Sequence, residues 1–241
     1  MRLLPLLLVL LAGTLVVAAD VPADAADIPG GDEIVQKYLS ATQEQQTAMR
    51  GVSMQVDISA EVPKLQKQGK LQALRNISKL GKITYNALGF IGDKTIKNEV
   101  IARYLTADTE AQQNQDISIT PANYKFKFKG LQDHEGKQEY VFQLSPRKKR
   151  VGLFKGELWI DPQTYMPVRE SGRFVKSPSI FLKKIEFVRT YDLKEGVALP
   201  QHMESKLQTR IFGPVNLSID FSNFAKTDPE LATTTTVSSV Q

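Results

Sequence analysis

The chain has 241 residues, no cysteine, two histidines and a formal net charge of +5. The lack of cysteine excludes disulfide bonds, thiol catalysis and cysteine metal sites, so apolar burial must hold the fold together. The charge is too small and too mixed in sign to indicate a nucleic-acid-binding protein.

The first residues are typical of a secretory signal. Arg2 supplies positive charge, the run from Leu3 to Val17 is almost entirely apolar, and Val17-Ala18-Ala19 offers a small-residue cleavage site. A second candidate site follows Ala25. The alternative is an uncleaved membrane anchor, but the run falls short of the ~20 apolar residues that a spanning helix needs. We predict a signal peptide at residues 1–19, a flexible leader at 20–31 and, because a cysteine-free exported chain is typical of bacteria, a periplasmic protein.

A helix is predicted to follow the leader. It begins near Asp32, which is a suitable N-cap, and ends near Arg50-Gly51. Its apolar stripe recurs at helical spacing and consists of Ile34, Val35, Tyr38, Leu39, Thr42 and Met49. The residues from Gln43 to Gln46 are expected on its solvent-exposed face.

The period then changes to two, which predicts strands. Val52, Met54, Val56 and Ile58 alternate with smaller or polar residues. The stretch from Lys64 to Leu80 fits a helix about as well as a strand, and we favour the strand slightly.

The next stretch is less regular. Lys82 to Arg103 is rich in apolar residues, and Gly89 and Gly92 are expected turn or bulge positions. Tyr104 to Gln115 is polar and is predicted to be a loop.

The second half has the clearest strand signals. Phe and Lys alternate perfectly from Lys125 to Lys129, a hairpin turn is predicted at Asp133 to Lys137, and Asp161 to Thr164 has strong turn chemistry. Roughly eight or more antiparallel strands joined by short turns are expected, in a meandering, curved sheet of the α+β class with one apolar face. Residues 227–241 are rich in Thr and Ser and are predicted to be disordered.

The sequence predicts no catalytic residue, no metal site and no cofactor. His134 and His202 lie far apart and outside any metal-ligand spacing, so both are interpreted as surface residues. The chain has no Gly-x-Ser-x-Gly motif and no glycine-rich phosphate loop. We therefore expect a protein that is not an enzyme.

Two features are candidate binding sites. The apolar strand faces are interpreted either as an ordinary core or as the lining of an acyl-chain cavity, and their residues are Phe126, Phe128, Phe142, Leu144, Leu158, Ile160, Leu217, Ile219 and Phe221. The densest basic run is interpreted either as a solvated hairpin tip or as a contact patch for anionic lipid or an acidic partner, and it consists of Arg147, Lys148, Lys149 and Arg150.

A longer pattern carries a resemblance. Gly156 to Arg169 contains a strand that ends in Asp-Pro, a turn, and a Pro-x-Arg that opens the next strand; Tyr191, Gly196 and Leu199-Pro200 lead toward Ile219 to Phe224. With the signal and the first helix, this resembles the LolA/LolB/RseB-like superfamily, and in particular LolA-like periplasmic lipoprotein-sorting proteins. The resemblance implies an incomplete antiparallel β-barrel with helices packed across its apolar face.

The resemblance also implies a function without catalysis or cofactor. Residues 32–226 would form one LolA-like half-barrel domain that carries lipid or lipoprotein acyl chains in lipid or outer-membrane lipoprotein trafficking. The alternative is an envelope sensor or protein-interaction module that binds a membrane-bound partner through its basic surface. Nucleic acid is not an expected partner.

Overall fold

The computed structural model describes residues 30–113, 117–177 and 182–226, so the predicted signal peptide and the tail at 227–241 lie outside the described residues. Helix α1 spans Gly31–Ala48, and the helical stretch 94–113 comprises α2 (Lys94–Ile96), a π-helical turn (Lys97–Ile101) and α3 (Ala102–Gln113). The strands are β1 (Val52–Val62), β2 (Lys67–Ile77), β3 (Ile83–Gly92), β4 (Tyr124–His134), β5 (Lys137–Pro146), β6 (Phe154–Ile160), β7 (Pro167–Phe174), β8 (Leu182–Lys194), β9 (Val197–Thr209) and β10 (Pro214–Lys226).

Within these ranges all ten strands form one antiparallel sheet in the order β3-β2-β1-β10-β9-β8-β7-β6-β5-β4. Strands β4 to β10 are a meander, and β1 then joins β10 and is extended by β2 and β3. Strands β3 and β4 each have one neighbour in the described sheet, so the barrel is not closed. The predicted fold class, an incomplete antiparallel barrel with helices across its apolar face, is confirmed.

The first half of the chain contains one confirmed and one wrong prediction. The ambiguous stretch 64–80 contains strand β2, as favoured. The predicted loop at 104–115 is wrong, because α3 is helical through Gln113. A polar helix is difficult to recognise by periodicity, and this one follows directly from a helical start that buries Ile96, Val100 and Ile101. No helix of the described residues has the length and hydropathy needed to cross a membrane.

The concave face of the sheet carries two separate hydrophobic clusters. The aromatic cluster lies between α1 and strands β4 to β8 and includes Ile34, Tyr38, Tyr124, Tyr140, Phe142, Leu144, Phe154, Leu158, Ile160 and Phe187. The aliphatic cluster lies between the 94–113 helical stretch and strands β1, β2, β9 and β10 and includes Met54, Val56, Ile58, Leu71, Ile96, Ile101, Met203, Leu217 and Ile219. Each helical element therefore covers its own half of the sheet.

A glycine pair shapes the aromatic half. Gly156 on β6 and Gly172 on β7 face each other directly, and a Cβ on Gly156 would lie 1.9 Å from the carbonyl oxygen of Ser171. Two side chains at this crossing would clash with backbone, so only glycine permits the close approach of the strands. The space beside the pair is taken by Phe154, whose ring is 5.0 Å from that of Phe187.

Candidate functional site

One row of directly paired residues crosses the concave face from edge to edge. Directly opposed residues of antiparallel strands share a face, so the pairing alone places these side chains together. From β3 to β4 the row reads Phe90, Leu71, Ile58, Ile219, Met203, Arg189, Glu170, Leu158, Phe142 and Phe128. The row is apolar except at its centre, where Glu170 of β7 and Arg189 of β8 separate the aliphatic cluster from the aromatic cluster.

The polar centre consists of Glu170, Arg189 and Tyr191. Arg189 Nη1 lies 3.3 Å from Glu170 Oε2, and the Tyr191 hydroxyl donates to Glu170 Oε1 at 2.8 Å. Arg189 Nη2 also points at the sulfur of Met203, at 3.6 Å. The side chain of Glu170 is 9% exposed and that of Arg189 is 29% exposed. A carboxylate so deeply buried is tolerated because it is both paired and hydrogen-bonded.

Tyrosines from the helices approach this centre. Tyr38 of α1 is buried, and burial raises its pKa well above the ordinary value, with a further increase from the Glu170 charge. Burial also raises the pKa of Tyr191, again with Glu170 adding to the effect. Burial opposes the charge of Arg189, but Tyr191 and Glu170 together favour it more strongly, so the pKa of the guanidinium lies above its ordinary range. Tyr104 of α3 adds to this increase. The Arg189 charge is thus stable at neutral pH.

The two helical covers are fastened in different ways. The amide of Gln45, in α1, donates to the Ala198 carbonyl at 2.9 Å and accepts from the Ala198 N–H at 3.2 Å, so it pairs with β9 as a strand would. The prediction that residues 43–46 form only a solvent-exposed face is therefore wrong at Gln45.

The 94–113 helical stretch is fastened at its start. Asp93 accepts hydrogen bonds from the Thr95 N–H at 2.7 Å and the Ile96 N–H at 3.4 Å, and it pairs with Lys67 at 2.9 Å. The Lys67 ammonium and the Thr95 bonds lower the pKa of Asp93 to about 2. Beyond the π-helical turn, α3 buries none of its described side chains completely.

The nine predicted acyl-contacting residues are divided between the two hydrophobic clusters. Phe142, Leu144, Leu158 and Ile160 are fully buried in the aromatic cluster, and Phe126 and Phe128 pack against it. Leu217, Ile219 and Phe221 belong to the aliphatic cluster on the other side of the polar centre. In the described residues, open depressions of about 280 and 290 Å³ lie at opposite ends of the sheet, and none of the nine residues lines either one.

The predicted basic run forms the loop from β5 to β6. Arg147 Nε donates to the Pro121 carbonyl at 2.7 Å, and Arg150 Nη2 donates to the Asn123 side chain at 2.5 Å. Lys148 and Lys149 are exposed. A depression of about 290 Å³ is lined by Ala122, Asn123, Arg147, Lys148 and Arg150. The loop is therefore an anchored, cationic concavity rather than a freely moving tip.

The two histidines lie apart and outside the concave face. The His134 ring contacts Trp159 with centroids 5.4 Å apart, and His202 Nδ1 lies 2.6 Å from an oxygen of Asp220. In the described part of the chain, no group of three or more His, Asp or Glu side chains is arranged to hold a metal ion.

Sequence reasoning missed the polar centre. On β8, Ile185 and Phe187 are buried, and the alternation continues inward to Arg189 and Tyr191. This alternation along β8 could have predicted that Arg189 and Tyr191 face inward. The partner carboxylate of Glu170 is recognisable only from the pairing of β7 with β8.

No protein-family model and no curated protein matches the chain. It is similar in structure to a DUF1329 family protein from Desulfovibrio piger, with 12% identity, a TM-score of 0.46 and coverage of 80% of this chain and 92% of that chain. A LolA superfamily protein from Nitrosomonas europaea is 12% identical, with a TM-score of 0.41 and coverage of 83% and 97%. A lipoprotein-sorting protein domain from Vibrio parahaemolyticus is 11% identical, with a TM-score of 0.33 and coverage of 79% and 92%. The description of the Nitrosomonas europaea protein names the LolA superfamily.

Proposed function

We propose that this chain is a non-enzymatic periplasmic carrier of lipid or lipoprotein acyl chains. The observation that supports the proposal is the continuous apolar row across ten strands, which is interrupted only by the Glu170–Arg189 pair. An acyl chain on this face would gain about 0.8 kcal/mol for each methylene that it buries. The resemblance of the strand motifs to the LolA/LolB/RseB-like superfamily implies a role in lipid or outer-membrane lipoprotein trafficking.

The ligand would enter by displacing the 94–113 helical stretch. This stretch is capped and paired at Asp93, whereas α3 at its other end has only half-buried contacts such as those of Tyr104 and Leu105. Between these two ends, the π-helical turn at 97–101 interrupts the α-helical hydrogen-bond pattern. Opening at α3 would expose the aliphatic cluster before any other part of the core.

The polar centre would receive the polar end of the ligand. The Arg189 guanidinium and the Tyr191 hydroxyl lie between the two clusters, within reach of a carboxyl or ester oxygen in that position. The polar end of a bound ligand needs hydrogen-bond partners when it is buried. In a groove with only apolar side chains, burying that end would cost free energy.

The test is a titration of the delipidated mature protein with dansylated undecanoic acid, read as an increase in emission. We expect saturable, one-to-one binding. Phe221→Asp, on the concave face of β10, should weaken binding by about tenfold or more, because a charge would replace an apolar contact. Phe126→Asp, in the aromatic half, reports whether the ligand also reaches that cluster.

Leu74→Asp is the matched control, since Leu74 is half-buried on the opposite face of β2. Circular dichroism confirms that each variant is folded. Absence of binding by the wild type, or equal losses in Phe221→Asp and Leu74→Asp, would remove the proposal. Native mass spectrometry of protein purified from its own periplasm should find a stoichiometric lipid or acylated peptide.

A second candidate function is recognition of a membrane-bound protein through the basic run. The cationic concavity beside Asn123 favours it, because three basic side chains converge on one depression. In vivo crosslinking should recover an acidic membrane protein with the wild type but not with Lys148→Gln/Lys149→Gln. If that loss occurs while the dansylated probe still binds, partner recognition and acyl binding are separate functions.

A further inference from the structure

The two ends of the sheet carry different charge. Leaving out the 94–113 helical stretch, the described segments that connect strands at the end where β5 passes into β6 contain seven basic residues and one acidic residue, namely Lys64, Arg147, Lys148, Lys149, Arg150, Lys176 and Arg210 against Asp93. We call this end the basic rim. At the opposite end the described connecting segments contain three of each sign, namely Arg50, Lys79 and Lys82 against Glu135, Asp161 and Glu195.

The basic rim also carries exposed apolar side chains at three separate turns. Leu65 is 42% exposed, Val151 is 42% exposed and Ile211 is 65% exposed. Each directly follows a basic residue in sequence. The turns of Leu65 and Ile211 are adjacent, because a Cβ added to Gly213 would lie 3.7 Å from the Cδ of Lys64. The large apolar residues are thus displayed outward rather than buried.

We propose that the basic rim docks the protein on an anionic lipid surface. Basic side chains bind the negative headgroups electrostatically, and apolar tips enter the interface, so the two contributions add. The inference does not rest on the proposed acyl-chain binding, because it concerns the ends of the strands and not the concave face.

The loop from β5 to β6 is built for such a contact. Arg147 and Arg150 are committed to Pro121 and Asn123, which holds the loop in place. Asn123 is itself buried and donates to the Ser118 carbonyl at 2.9 Å. The exposed side chains of Lys148, Lys149 and Val151 are therefore displayed on a fixed loop, and little ordering is needed on binding.

The arrangement fits a membrane better than an acidic protein. The basic residues and apolar tips are spread over several strand connections along one end of the sheet, whereas a protein interface concentrates its apolar anchors in a central patch. A bilayer meets all of these turns at once without a shaped counterpart. Neutral lipid would leave the basic residues without counter-charges.

The experiment is flotation of the mature protein with two kinds of vesicle. One contains phosphatidylcholine alone, and the other also contains about 30% phosphatidylglycerol, which resembles an anionic leaflet. We expect binding to the anionic vesicles only, weakened by salt. Lys148→Gln/Lys149→Gln should lower the partition coefficient by about tenfold. Ile211→Ser should lower binding severalfold and leave the salt dependence unchanged.

The opposite end supplies the matched control. Leu80 is exposed there between Lys79 and Lys82, so Lys79→Gln/Lys82→Gln removes the same charge from the other end. The inference is wrong if the wild type ignores anionic vesicles, if this control loses as much binding as the rim variant, or if the rim variant loses only binding to an acidic protein. Flotation of Phe221→Asp separates the two proposals, since it should dock normally even where acyl binding is lost.

Discussion

The two halves of the concave face are packed in different ways. In the aromatic half, rings contact one another at centroid distances of 5.0 to 6.3 Å, a glycine pair brings two strands together, and α1 is tied to β9 through Gln45. In the aliphatic half, only part of the covering 94–113 helical stretch is regular α-helix. Its last part, α3, lies over the sheet with half-buried contacts. The same sheet thus has one closely fitted half and one loosely covered half.

This difference indicates how stability and function are divided. Aromatic interlocking resists local opening, because many contacts must be lost together. A segment such as α3, in which no described side chain is completely buried, opens at lower free energy than the whole fold. We therefore expect the aromatic half to set the global free energy of unfolding and the aliphatic half to supply the movement that the proposed ligand entry needs.

The largest effect is expected from Leu158→Ala. Leu158 is fully buried in the aromatic cluster, so truncation should lower the free energy of unfolding by about 3 kcal/mol. The measurement is urea denaturation. Ile101→Ala, equally buried under the 94–113 helical stretch, should cost less globally and mainly speed hydrogen exchange in that stretch. Equal global losses would mean that both halves unfold as one unit.

Arg189→Met is expected to have the next largest effect, because it leaves the Glu170 carboxylate without its cation. We expect a loss of about 2 kcal/mol, below the full cost for a buried pair since the guanidinium is partly exposed. The double variant Glu170→Gln/Arg189→Met should recover part of the loss in urea denaturation. If the losses of the two single variants simply add in the double variant, the Glu170 and Arg189 charges do not stabilise each other.

Asp93→Ala should loosen only the aliphatic cover. The cap bonds to Thr95 and Ile96 disappear, and exchange of the amides at 95–101 should rise by about fivefold, measured by mass spectrometry. Asp93→Asn keeps a capping oxygen and isolates the Lys67 pair. Unchanged exchange at 95–101 with faster exchange in α1 would contradict the assignment of this cap.

Acid should reproduce the effect of Asp93→Ala in the wild type. Because the pKa of Asp93 is lowered from 3.8 to about 2, its contribution is fully present above the ordinary carboxyl range and is lost as pH falls toward about 2. The acid-induced increase in exchange should therefore be absent from Asp93→Ala.

The smallest effect is expected on the convex face. Glu139 is buried, and desolvation raises the pKa of its carboxyl. A raised carboxyl pKa means that the folded state holds the proton more tightly, so stability is greatest at acid pH and falls as pH rises through that pKa. Glu139→Gln should raise the free energy of unfolding by about 0.5 kcal/mol at neutral pH and have no effect near pH 4. Denaturation at both pH values measures this, and equal effects at both would refute the desolvation account.

Much of the fold followed from local sequence patterns. The alternation of Phe and Lys at 125–129 predicted β4 with its aromatic side chains inward, and the turn residues at 133–137 predicted the hairpin with β5. The helical stripe of Ile34, Val35 and Tyr38 predicted α1. These features depend on residues within one or two turns of each other, so their period is visible in the chain.

Other features could not be predicted from local sequence patterns. The polar residues of 104–113 carry little periodicity, and their helix depends on the cap at Asp93 and on burial of the preceding turn against β1 and β2. Likewise, the sequence predicts Gln45 to be solvent-exposed, and only the tertiary structure places β9 beside it.

The sequence by itself determined the strands, their inward faces and the basic character of the 147–150 run, because alternation and charge are local properties. Only the tertiary structure decided that the inward face divides into two clusters, that Glu170, Arg189 and Tyr191 meet between them, and that seven basic residues share one end of the sheet. Those facts depend on which strands become neighbours. Strand pairing over long sequence separations is set by the packing of the whole sheet and not by any single segment.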